Sequence, residues 1–368
     1  MPETGPAGAK LGFNGWNGQV RRWHSLCMSR PAMEQEWWLR VGSPKRGFRY
    51  IGLNGRPLTS SAALKRIRAL VIPPAWTDVH ISPDPARKVQ VWGRDAAGRK
   101  QYRYSAHHVR TVDRRKWKRV LHVARLMPDL RARTNQHLQR RHLDREKVMA
   151  TVVRLMCRAY FRAGSERYAT DNKTFGICTL TKRHVRVDGD NIVFRYAGKR
   201  RKDQRQVVAD TPLVEIIEEL LEQPGARVFK YPADLHGRRF RPVTATAVNE
   251  YLRTLLGEKV TSKDLRTFGG TVRAAMILGD IGPARTPTEA KRNVVLACKL
   301  VAADLGNTPA ICRKAYIHPA VLEEYETAGR TVATPPRRAR ASGKVTTKEP
   351  VGWYPEEIQL MKFLERYG

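Results

Sequence analysis

The stretch KVQVWGRDAAGRKQYRY, residues 88–104, marks the point where the chain changes from one kind of structure to another. Its two runs rich in Val, Trp and Tyr, residues 88–92 and 100–104, flank an Asp-Ala-Ala-Gly turn and predict a β-hairpin. Upstream, the run 48–51 is followed by an Asn-Gly turn, which is a strong hairpin signal. The part of the chain that ends near residue 104 is therefore predicted to be rich in β-strands.

Beyond a basic linker at residues 110–119, apolar residues recur at the spacing of an α-helix. The predicted helices are 120–130, 144–163, 214–221, 245–256, 264–278 and 288–305. Thr286 is predicted to cap the last of these, with Pro287 in its first turn. Three short strands are predicted between the helices, at 175–181, 184–187 and 192–196. The predicted fold class is α+β, with a small β-rich N-terminal domain and a larger, mainly α-helical domain.

The domain boundaries follow from these patterns and from composition. Residues 1–33 are interpreted as a flexible basic leader, residues 34–108 as the β-rich domain and residues 109–328 as the helical domain. Residues 329–368 are interpreted as a basic, largely disordered tail that ends in a short helix, because apolar residues become rare there.

The charge of the chain indicates a polyanionic partner. Its 368 residues include 69 Lys and Arg against 34 Asp and Glu, a formal net charge of +35. Such an excess favours binding to nucleic acid. No stretch approaches the ~20 apolar residues of a membrane span. The five cysteines form no C-x-x-C pair and no P-loop motif is present, so we expect free thiols, no metal site and no ATP.

A series of polar clusters follows the helices and strands of the second half. In chain order they are Arg162, Lys199, Lys263-x-x-Arg266, Gly306-Asn307-Thr308 and Tyr316. This order resembles that of the type IB DNA topoisomerases of the compact poxviral and bacterial kind. Two upstream segments, IPPAW at 72–76 and GRKQY at 98–102, also resemble the N-terminal module of that family. The resemblance extends over residues 41–325.

The resemblance implies a nucleophile, Tyr316, that forms a covalent 3′-phosphotyrosyl intermediate with one strand. Arg162 and Arg266 would clamp the phosphate, and Asn307 would donate a hydrogen bond to a nonbridging oxygen. Lys199 would be the general acid that protonates the 5′-oxygen leaving group. Because the intermediate conserves the energy of the broken bond, the family relaxes positive and negative supercoils without ATP, and no cofactor or metal is implied.

Two positions depart from related families. Poxviral members have His at the position of Asn307, so acid–base chemistry is excluded there in this chain. Lys263 stands where tyrosine recombinases usually have a His, which favours a topoisomerase and makes Lys263 an auxiliary phosphate contact. The residues predicted to bind DNA are Gln101, Tyr102, Tyr104, Lys263, Arg200, Arg201 and Lys202.

Two alternatives remain open at this point. A tyrosine recombinase or integrase would use the same nucleophile and a similar arginine clamp. A non-catalytic architectural protein would bind DNA through its charge alone. Taken singly, an arginine or a tyrosine in this chain is typical of a solvated or packed side chain. The ordered set favours a topoisomerase that closes around duplex DNA as a clamp. We expect a cytoplasmic, nucleoid-associated protein that acts as a monomer and has no membrane partner.

Overall fold

The computed structural model describes residues 36–234, 239–334 and 351–367. By contacts, the chain divides into two units, Met1–Arg114 and Arg115–Gly368. The predicted leader at residues 1–33, with Cys27, and most of the predicted tail's basic run, at 335–350, lie outside the described residues.

An antiparallel sheet is the main feature of the first unit. The elements of this unit are β1 Trp38–Ser43, β2 Gly47–Ile51, α1 Ser61–Ala69, β3 Thr77–Ile81, β4 Val89–Arg94 and β5 Lys100–Tyr104. The strand order is β2-β1-β3-β4-β5, with every neighbouring pair antiparallel. The hairpin predicted around the Asp-Ala-Ala-Gly turn forms as β4 and β5. The hairpin predicted at the Asn-Gly turn does not form: β2 pairs instead with the preceding strand β1, and the Asn-Gly turn is followed by an isolated bridge between Ile51 and Pro57. A small core of Ile67, Val79, Ile81 and Val91 holds α1 against the sheet.

Strands β1 and β3 were not predicted from the sequence. In β3 the polar residues Asp78 and His80 alternate with Val79 and Ile81, and the strand is irregular, because Asp78 has a φ of 49° and the register shifts between Thr77 and His80. In the structure the His80 ring is buried and stacks on Trp92, with 3.8 Å between the ring centres. Its polar edge is satisfied by Asp78 at 2.9 Å. A buried polar residue with a local partner is therefore compatible with the strand.

Helices dominate the second unit. The helices from the boundary onward are α2 Ala106–Leu138, α3 Arg145–Ala159, α4 Glu166–Asn172, α5 Thr211–Glu222, α6 Ala245–Leu256, α7 Ser262–Ile281, α8 Pro287–Leu305, α9 Pro309–Ala315, α10 Pro319–Ala328 and α11 Pro355–Tyr367. The strands are β6 Val185–Asp188, β7 Asn191–Ala197 and β8 Asp203–Ala209, in one antiparallel sheet, and the pair β9 Lys230–Pro232 and β10 Phe240–Pro242. A β-rich region followed by a mostly helical one confirms the predicted fold class.

The predicted basic linker at 110–119 is wrong, because these residues form part of the 33-residue helix α2. Lys and Arg have high helix propensity, and no Gly or Pro occurs between Ala106 and Met127 to interrupt the helix. The division between the two units falls inside this helix.

Residues 175–181 also differ from the prediction, since they form a short 3₁₀ turn, Ile177–Thr179, instead of a strand. The backbone N–H of Ile177 donates to the carbonyl of Arg162 at 2.8 Å, and that of Cys178 donates to Ala163 at 2.9 Å. Gly176 makes this approach possible, because a Cβ there would lie 2.5 Å from the Arg162 carbonyl oxygen. The segment after α3, which carries Arg162, is thereby fixed in place.

The predicted terminal helix forms as α11, and it packs into the core of the second unit instead of belonging to a disordered tail. Its Leu360 and Leu364 are buried, and Trp353 donates from its indole to the Ala124 carbonyl at 2.7 Å. The buried pair Arg131 and Glu357 makes two hydrogen bonds, of 2.8 and 2.6 Å. The partners are 226 residues apart in sequence, so local composition gives no sign of them.

Helices α7 to α10 each begin with a polar cap. Thr286 accepts a hydrogen bond from the N–H of Glu289 and precedes Pro287, which confirms the predicted start of α8. The same arrangement recurs at Thr308 with Pro309 and at His318 with Pro319. Since a cap and a proline fix where a helix starts, α8 to α10 begin at defined residues.

Among the described residues no single helix is long and apolar enough to cross a membrane, although the bent pair α8 and α9 meets that length and composition test together.

Candidate active site

The C-terminal end of α8 collects three cationic side chains from three different elements. Three successive carbonyl groups, those of Leu305, Gly306 and Asn307, each accept one hydrogen bond from a cation; we call them the carbonyl triplet. The donors are Arg266 of α7 at 3.0 Å, Arg162 at 3.2 Å and Lys202 at 3.2 Å. Carbonyls at a helix C-terminus lack helical partners and carry partial negative charge, so they attract cations.

Arg266 is the most deeply buried of these cations. Burial and the neighbouring Arg162 lower the pKa of its guanidinium to about 10, while Tyr316 opposes the shift. The guanidinium therefore stays charged at neutral pH. Its central carbon lies 5.5 Å from the ring centre of Tyr316. A buried charge is thus placed directly beside the predicted nucleophile.

Tyr316 follows the last residue of α9 and is half-buried. Helix α7 packs against the backbone of Tyr316 and of the residues that follow it. The hydroxyl of Thr271 lies 3.3 Å from the Tyr316 carbonyl and accepts the N–H of His318 at 3.1 Å. At Gly270, a Cβ would lie 2.8 Å from the same carbonyl oxygen. Arg266, Gly270 and Thr271 therefore present one face of α7 to the segment that carries Tyr316.

Arg162 and Arg266 together form what we call the phosphate clamp, and Arg162 also contacts Asn307. Its guanidinium donates to Oδ1 of Asn307 at 2.6 Å as well as to the Gly306 carbonyl. Tyr160, in the left-handed region with φ 53°, ends α3 and turns the chain toward Arg162. Because Oδ1 of Asn307 accepts from Arg162, the amide nitrogen Nδ2 is the group left to donate.

Two buried donors in this site have no hydrogen-bonded oxygen partner within the described ranges: Nε of Arg266 and Nδ2 of Asn307. A buried donor without an acceptor is unfavourable by about 1–3 kcal/mol, and such groups are rare in native proteins. Asn307 is part of the carbonyl triplet, and Arg266 is one of the cations that donate to it. Both groups can donate a hydrogen bond to an anionic oxygen, such as a nonbridging oxygen of a phosphate.

Lys199 is placed differently from the other predicted catalytic residues. It lies in the turn between β7 and β8, is exposed, and its side chain has no hydrogen bond or ion pair with the residues that the structure describes. The structure thus brings together Arg162, Arg266, Asn307 and Tyr316, but it does not bring the Lys199 ammonium to them.

The residues predicted to bind DNA fall into separate places. On β5, Tyr102 and Tyr104 are exposed on one face, with 6.1 Å between their ring centres, and Nζ of Lys100 lies 5.9 Å from the Tyr102 ring. Gln101 alternates to the opposite face, where its amide donates to Asp95 at 2.9 Å. Tyr102 and Tyr104 therefore form an exposed aromatic surface on β5.

In the second unit, Lys263 is exposed in the first turn of α7, one turn before Arg266. Arg200 and Arg201 are exposed, and both have left-handed backbones, with φ of 64° and 55°. Lys202 was predicted to contact DNA, whereas in the structure its ammonium donates to the Asn307 carbonyl.

Sequence reasoning did not single out the residues that surround the cations. The hydroxyl of Tyr196 donates to Gln206 at 3.0 Å, and burial raises its pKa to about 12, opposed by Arg266 and Arg162. Gln204 of β8 lies against Gly306. The strand pattern of 192–196 gave no sign that Tyr196 borders a cationic site. No group of His, Cys, Asp or Glu suited to a metal ion occurs in the described part of the chain.

Comparison with known proteins identifies the family. The family described as the catalytic core of eukaryotic DNA topoisomerase I matches residues 104–340, a span that contains the whole site. The chain therefore belongs to the type IB DNA topoisomerase family and is a topoisomerase enzyme that acts on DNA. Residues 47–95 match the N-terminal domain of bacterial DNA topoisomerase IB, which places the chain with the bacterial type.

Two viral relatives agree with this assignment. DNA topoisomerase 1B of Acanthamoeba polyphaga mimivirus is 29% identical over 284 residues, covering 76% of this chain and 84% of the relative. DNA topoisomerase 1B of vaccinia virus strain Copenhagen is 24% identical over 238 residues, covering 63% of this chain and 70% of the relative. The resemblance inferred from the ordered motifs is thus confirmed.

Proposed function

We propose that this topoisomerase relaxes positive and negative supercoils by cutting one strand of duplex DNA, allowing it to rotate, and resealing it. The observation that carries this proposal is the pair of buried donors Nε of Arg266 and Nδ2 of Asn307, neither of which has a hydrogen-bonded oxygen acceptor among the described residues. A scissile phosphate placed there would supply the acceptor oxygens that both donors lack. Arg162 would complete the set from the other side of Asn307.

In the proposed reaction the Tyr316 oxygen attacks phosphorus and the bond from phosphorus to the 5′ oxygen breaks. The phenolic proton leaves to solvent, and Lys199 gives a proton to the departing 5′ oxygen. Arg162, Arg266 and Asn307 stabilise the negative charge of the five-coordinate transition state. The product is a 3′-phosphotyrosyl link and a free 5′-hydroxyl. Resealing is the reverse of these steps, so the number of phosphodiester bonds is conserved without ATP.

The charge of the site supports a reaction that requires neither ATP nor a metal ion. Two guanidinium groups and an amide donor are fixed before substrate arrives, because the carbonyl triplet and Asn307 hold them. Preorganised charge of this kind can provide much of the stabilisation of a phosphoryl transition state.

We further propose that both units contact duplex DNA, the first through Tyr102 and Tyr104. Exposed aromatic rings beside a lysine are a surface on which sugar or base atoms can pack. The excess of 35 positive charges should make the binding steeply dependent on salt. We place the enzyme at the nucleoid in the cytoplasm, acting as a monomer.

The test is plasmid relaxation in EDTA without ATP, with negatively and positively supercoiled substrates and with the Tyr316→Phe variant beside the wild type. We expect the wild type to relax both and the variant to be slower by about 10⁴-fold or more, because the nucleophile is absent. The variant should bind DNA as the wild type does and form no covalent adduct. Relaxation that needs added metal or ATP, or a variant that still forms the adduct, would contradict the proposal.

A further inference from the structure

The turn that carries Lys199 contacts the end of α8 through its last residue. Residues 198–202, which we call the lysine turn, join β7 to β8. The turn is closed by a hydrogen bond from the N–H of Gly198 to the carbonyl of Lys202 at 2.8 Å. Lys199 stands at its start with an exposed side chain, and Lys202 stands at its end. The location of Lys199 therefore depends on what holds Lys202.

Lys202 is held by the carbonyl triplet. Its ammonium donates to the Asn307 carbonyl at 3.2 Å, next to the carbonyls that accept from Arg162 and Arg266. A cation near a helix C-terminus is favoured by the partial negative charge of the last carbonyls. The lysine turn is thus connected to the same three backbone groups that fix the phosphate clamp.

Gln204 provides a second connection between the same two places. A Cβ at Gly198, in the lysine turn, would lie 2.7 Å from Cγ of Gln204. A Cβ at Gly306, in the carbonyl triplet, would lie 2.0 Å from its Oε1. The Gln204 side chain therefore occupies the space between the turn and the end of α8. Glycine at both positions leaves the room that this packing requires.

We propose that Lys202 is a positioning residue for Lys199: its contact with the Asn307 carbonyl, supported by Gln204, sets the lysine turn where the Lys199 ammonium can reach the 5′ oxygen. This inference rests on the proposed function, in which Lys199 is the general acid. A general acid must come within about 3 Å of the atom that it protonates. An exposed lysine with a long flexible side chain meets that condition only if its backbone is held.

A contact between Lys202 and a DNA phosphate is the competing explanation, and chemistry at the leaving group separates the two. A 5′-bridging sulfur is a good leaving group and needs no proton from a general acid. A defect that acts through Lys199 should therefore disappear with a sulfur substrate. A defect in DNA binding or in stabilising the phosphate should persist, because both substrates have the same nonbridging oxygens.

The experiment measures single-turnover cleavage of a duplex at a site that the wild type cuts, with either oxygen or sulfur at the 5′-bridging position. Full-length Lys202→Ala should cleave the oxygen substrate about 30-fold more slowly than the wild type. A loss of this size is expected when a catalytic group is misplaced, since a shift of about 1 Å can lower a rate by about 10²-fold. On the sulfur substrate Lys202→Ala should come within about twofold of the wild type. Lys199→Ala should be slower by about 10³-fold on oxygen and rescued by sulfur.

Three further variants sharpen the result. The double variant Lys199→Ala/Lys202→Ala should be no slower on oxygen than Lys199→Ala alone, because Lys202 acts through Lys199. Lys202→Arg, which keeps a donor for the carbonyl, should recover most of the rate. Arg205→Ala removes an exposed cation from the same hairpin and should stay within about twofold of the wild type on both substrates.

Equal slowing of Lys202→Ala on both substrates would overturn the inference, and so would an Arg205→Ala variant that behaves like it. Failure of sulfur to rescue Lys199→Ala would instead remove the general acid from the proposed function. The two failures are therefore distinguishable. Denaturant unfolding of each variant checks that the fold is retained, and Lys202→Met provides a second variant that keeps the aliphatic stem.

Discussion

The site contains two regions that are built in different ways, the phosphate clamp and the lysine turn. In the clamp, Arg266 is buried, Arg162 is partly buried, and both donate to the end of one helix. In the lysine turn, Lys199 is exposed, and the residues after it, Arg200 and Arg201, have left-handed backbones. Both cations of the first region donate to the end of α8, whereas the second region reaches that end through Lys202 and contacts the Asn172 carbonyl through Nε of Arg201, at 3.5 Å.

This difference corresponds to two different tasks in the proposed reaction. Groups that stabilise charge are most effective when they are fixed before the substrate binds, because no reorganisation is then needed. A group that transfers a proton must meet an oxygen whose position depends on the bound DNA. The clamp matches the first task, since its arginines are held by hydrogen bonds, and the long, exposed side chain of Lys199 matches the second.

The largest effect is expected for Arg266→Ala, which removes the most buried cation of the clamp. The cleavage rate should fall by about 10³-fold, since the transition state loses a charged donor. Single-turnover cleavage measures this change. Arg273→Ala is the matched control on the same helix, because it removes an arginine paired with Asp304 at 2.8 Å.

Arg273→Ala should change the cleavage rate by less than about threefold, while lowering the free energy of unfolding by up to about 1 kcal/mol. If Arg273→Ala were as slow as Arg266→Ala, loss of any cation from α7 would explain the effect. The clamp would then not be distinguished from the rest of the helix.

A second effect is expected at Gly306, where the clamp and the lysine turn meet. Gly306 has φ 59°, and a Cβ would displace the Gln204 side chain. Gly306→Ala should therefore lower the cleavage rate by about 10²-fold, as expected when a catalytic group is misplaced by about 1 Å. The control is Gly257→Ala, at the end of α6, where φ is 67° and a Cβ would meet no atom within 4 Å.

Gly257→Ala should lower the free energy of unfolding by about 1 kcal/mol through its backbone alone, and leave cleavage unchanged. Denaturant unfolding and single-turnover cleavage measured on both variants separate the two contributions. Equal cleavage rates for the two variants would show that the contact with Gln204 has no part in the site.

A smaller effect is expected from pH at His318, two residues beyond Tyr316. Burial lowers the pKa of His318 to about 4, and its neutral ring accepts the N–H of Ala320 at 3.2 Å. The group titrates near 6.5 in an unfolded chain, so its contribution to stability is present above pH 6.5 and is lost as the pH falls toward 4. Between pH 7 and pH 5 the loss should be about 2 kcal/mol.

The measurement is denaturant unfolding of the wild type and of His318→Asn at both pH values. Asparagine keeps the cap of α10 but does not titrate, so its stability should fall by about 2 kcal/mol less than that of the wild type. An identical pH dependence in the two proteins would mean that His318 is not buried in its neutral form.

The smallest effect is expected in the lysine turn itself. Arg201 has φ 55°, a region that an L-residue occupies at a cost, whereas glycine does not. Arg201→Gly should raise the free energy of unfolding by about 0.5–1 kcal/mol. Arg205→Gly, in the neighbouring strand β8, should lower it by a similar amount. Thermal or denaturant unfolding compares them, and a destabilised Arg201→Gly would show that the turn has another conformation.

Much of the secondary structure could be predicted because its signals are local. The Asp-Ala-Ala-Gly turn predicts the hairpin of β4 and β5, and Thr286 with Pro287 predicts the start of α8. The wrong linker at 110–119 had a local cause, the helix propensity of its Lys and Arg residues, but two other differences from the prediction have non-local causes. Residues 175–181 have the composition of a strand, but their backbone N–H groups donate to the carbonyls of Arg162 and Ala163. Helix α11 packs in the core because its Glu357 pairs with the distant Arg131.

The sequence by itself determined the order and identity of the predicted catalytic residues, from Arg162 to Tyr316, and with them the family. Their roles stay predictions until the variants are measured. Only the tertiary structure decided which cations meet the end of α8, that Lys202 is one of them, and which buried donors have no oxygen acceptor among the described residues. The physical reason is distance along the chain: Arg162 and Asn307 are 145 residues apart. Hydrogen bonds between such residues depend on how whole helices pack, which no local pattern encodes.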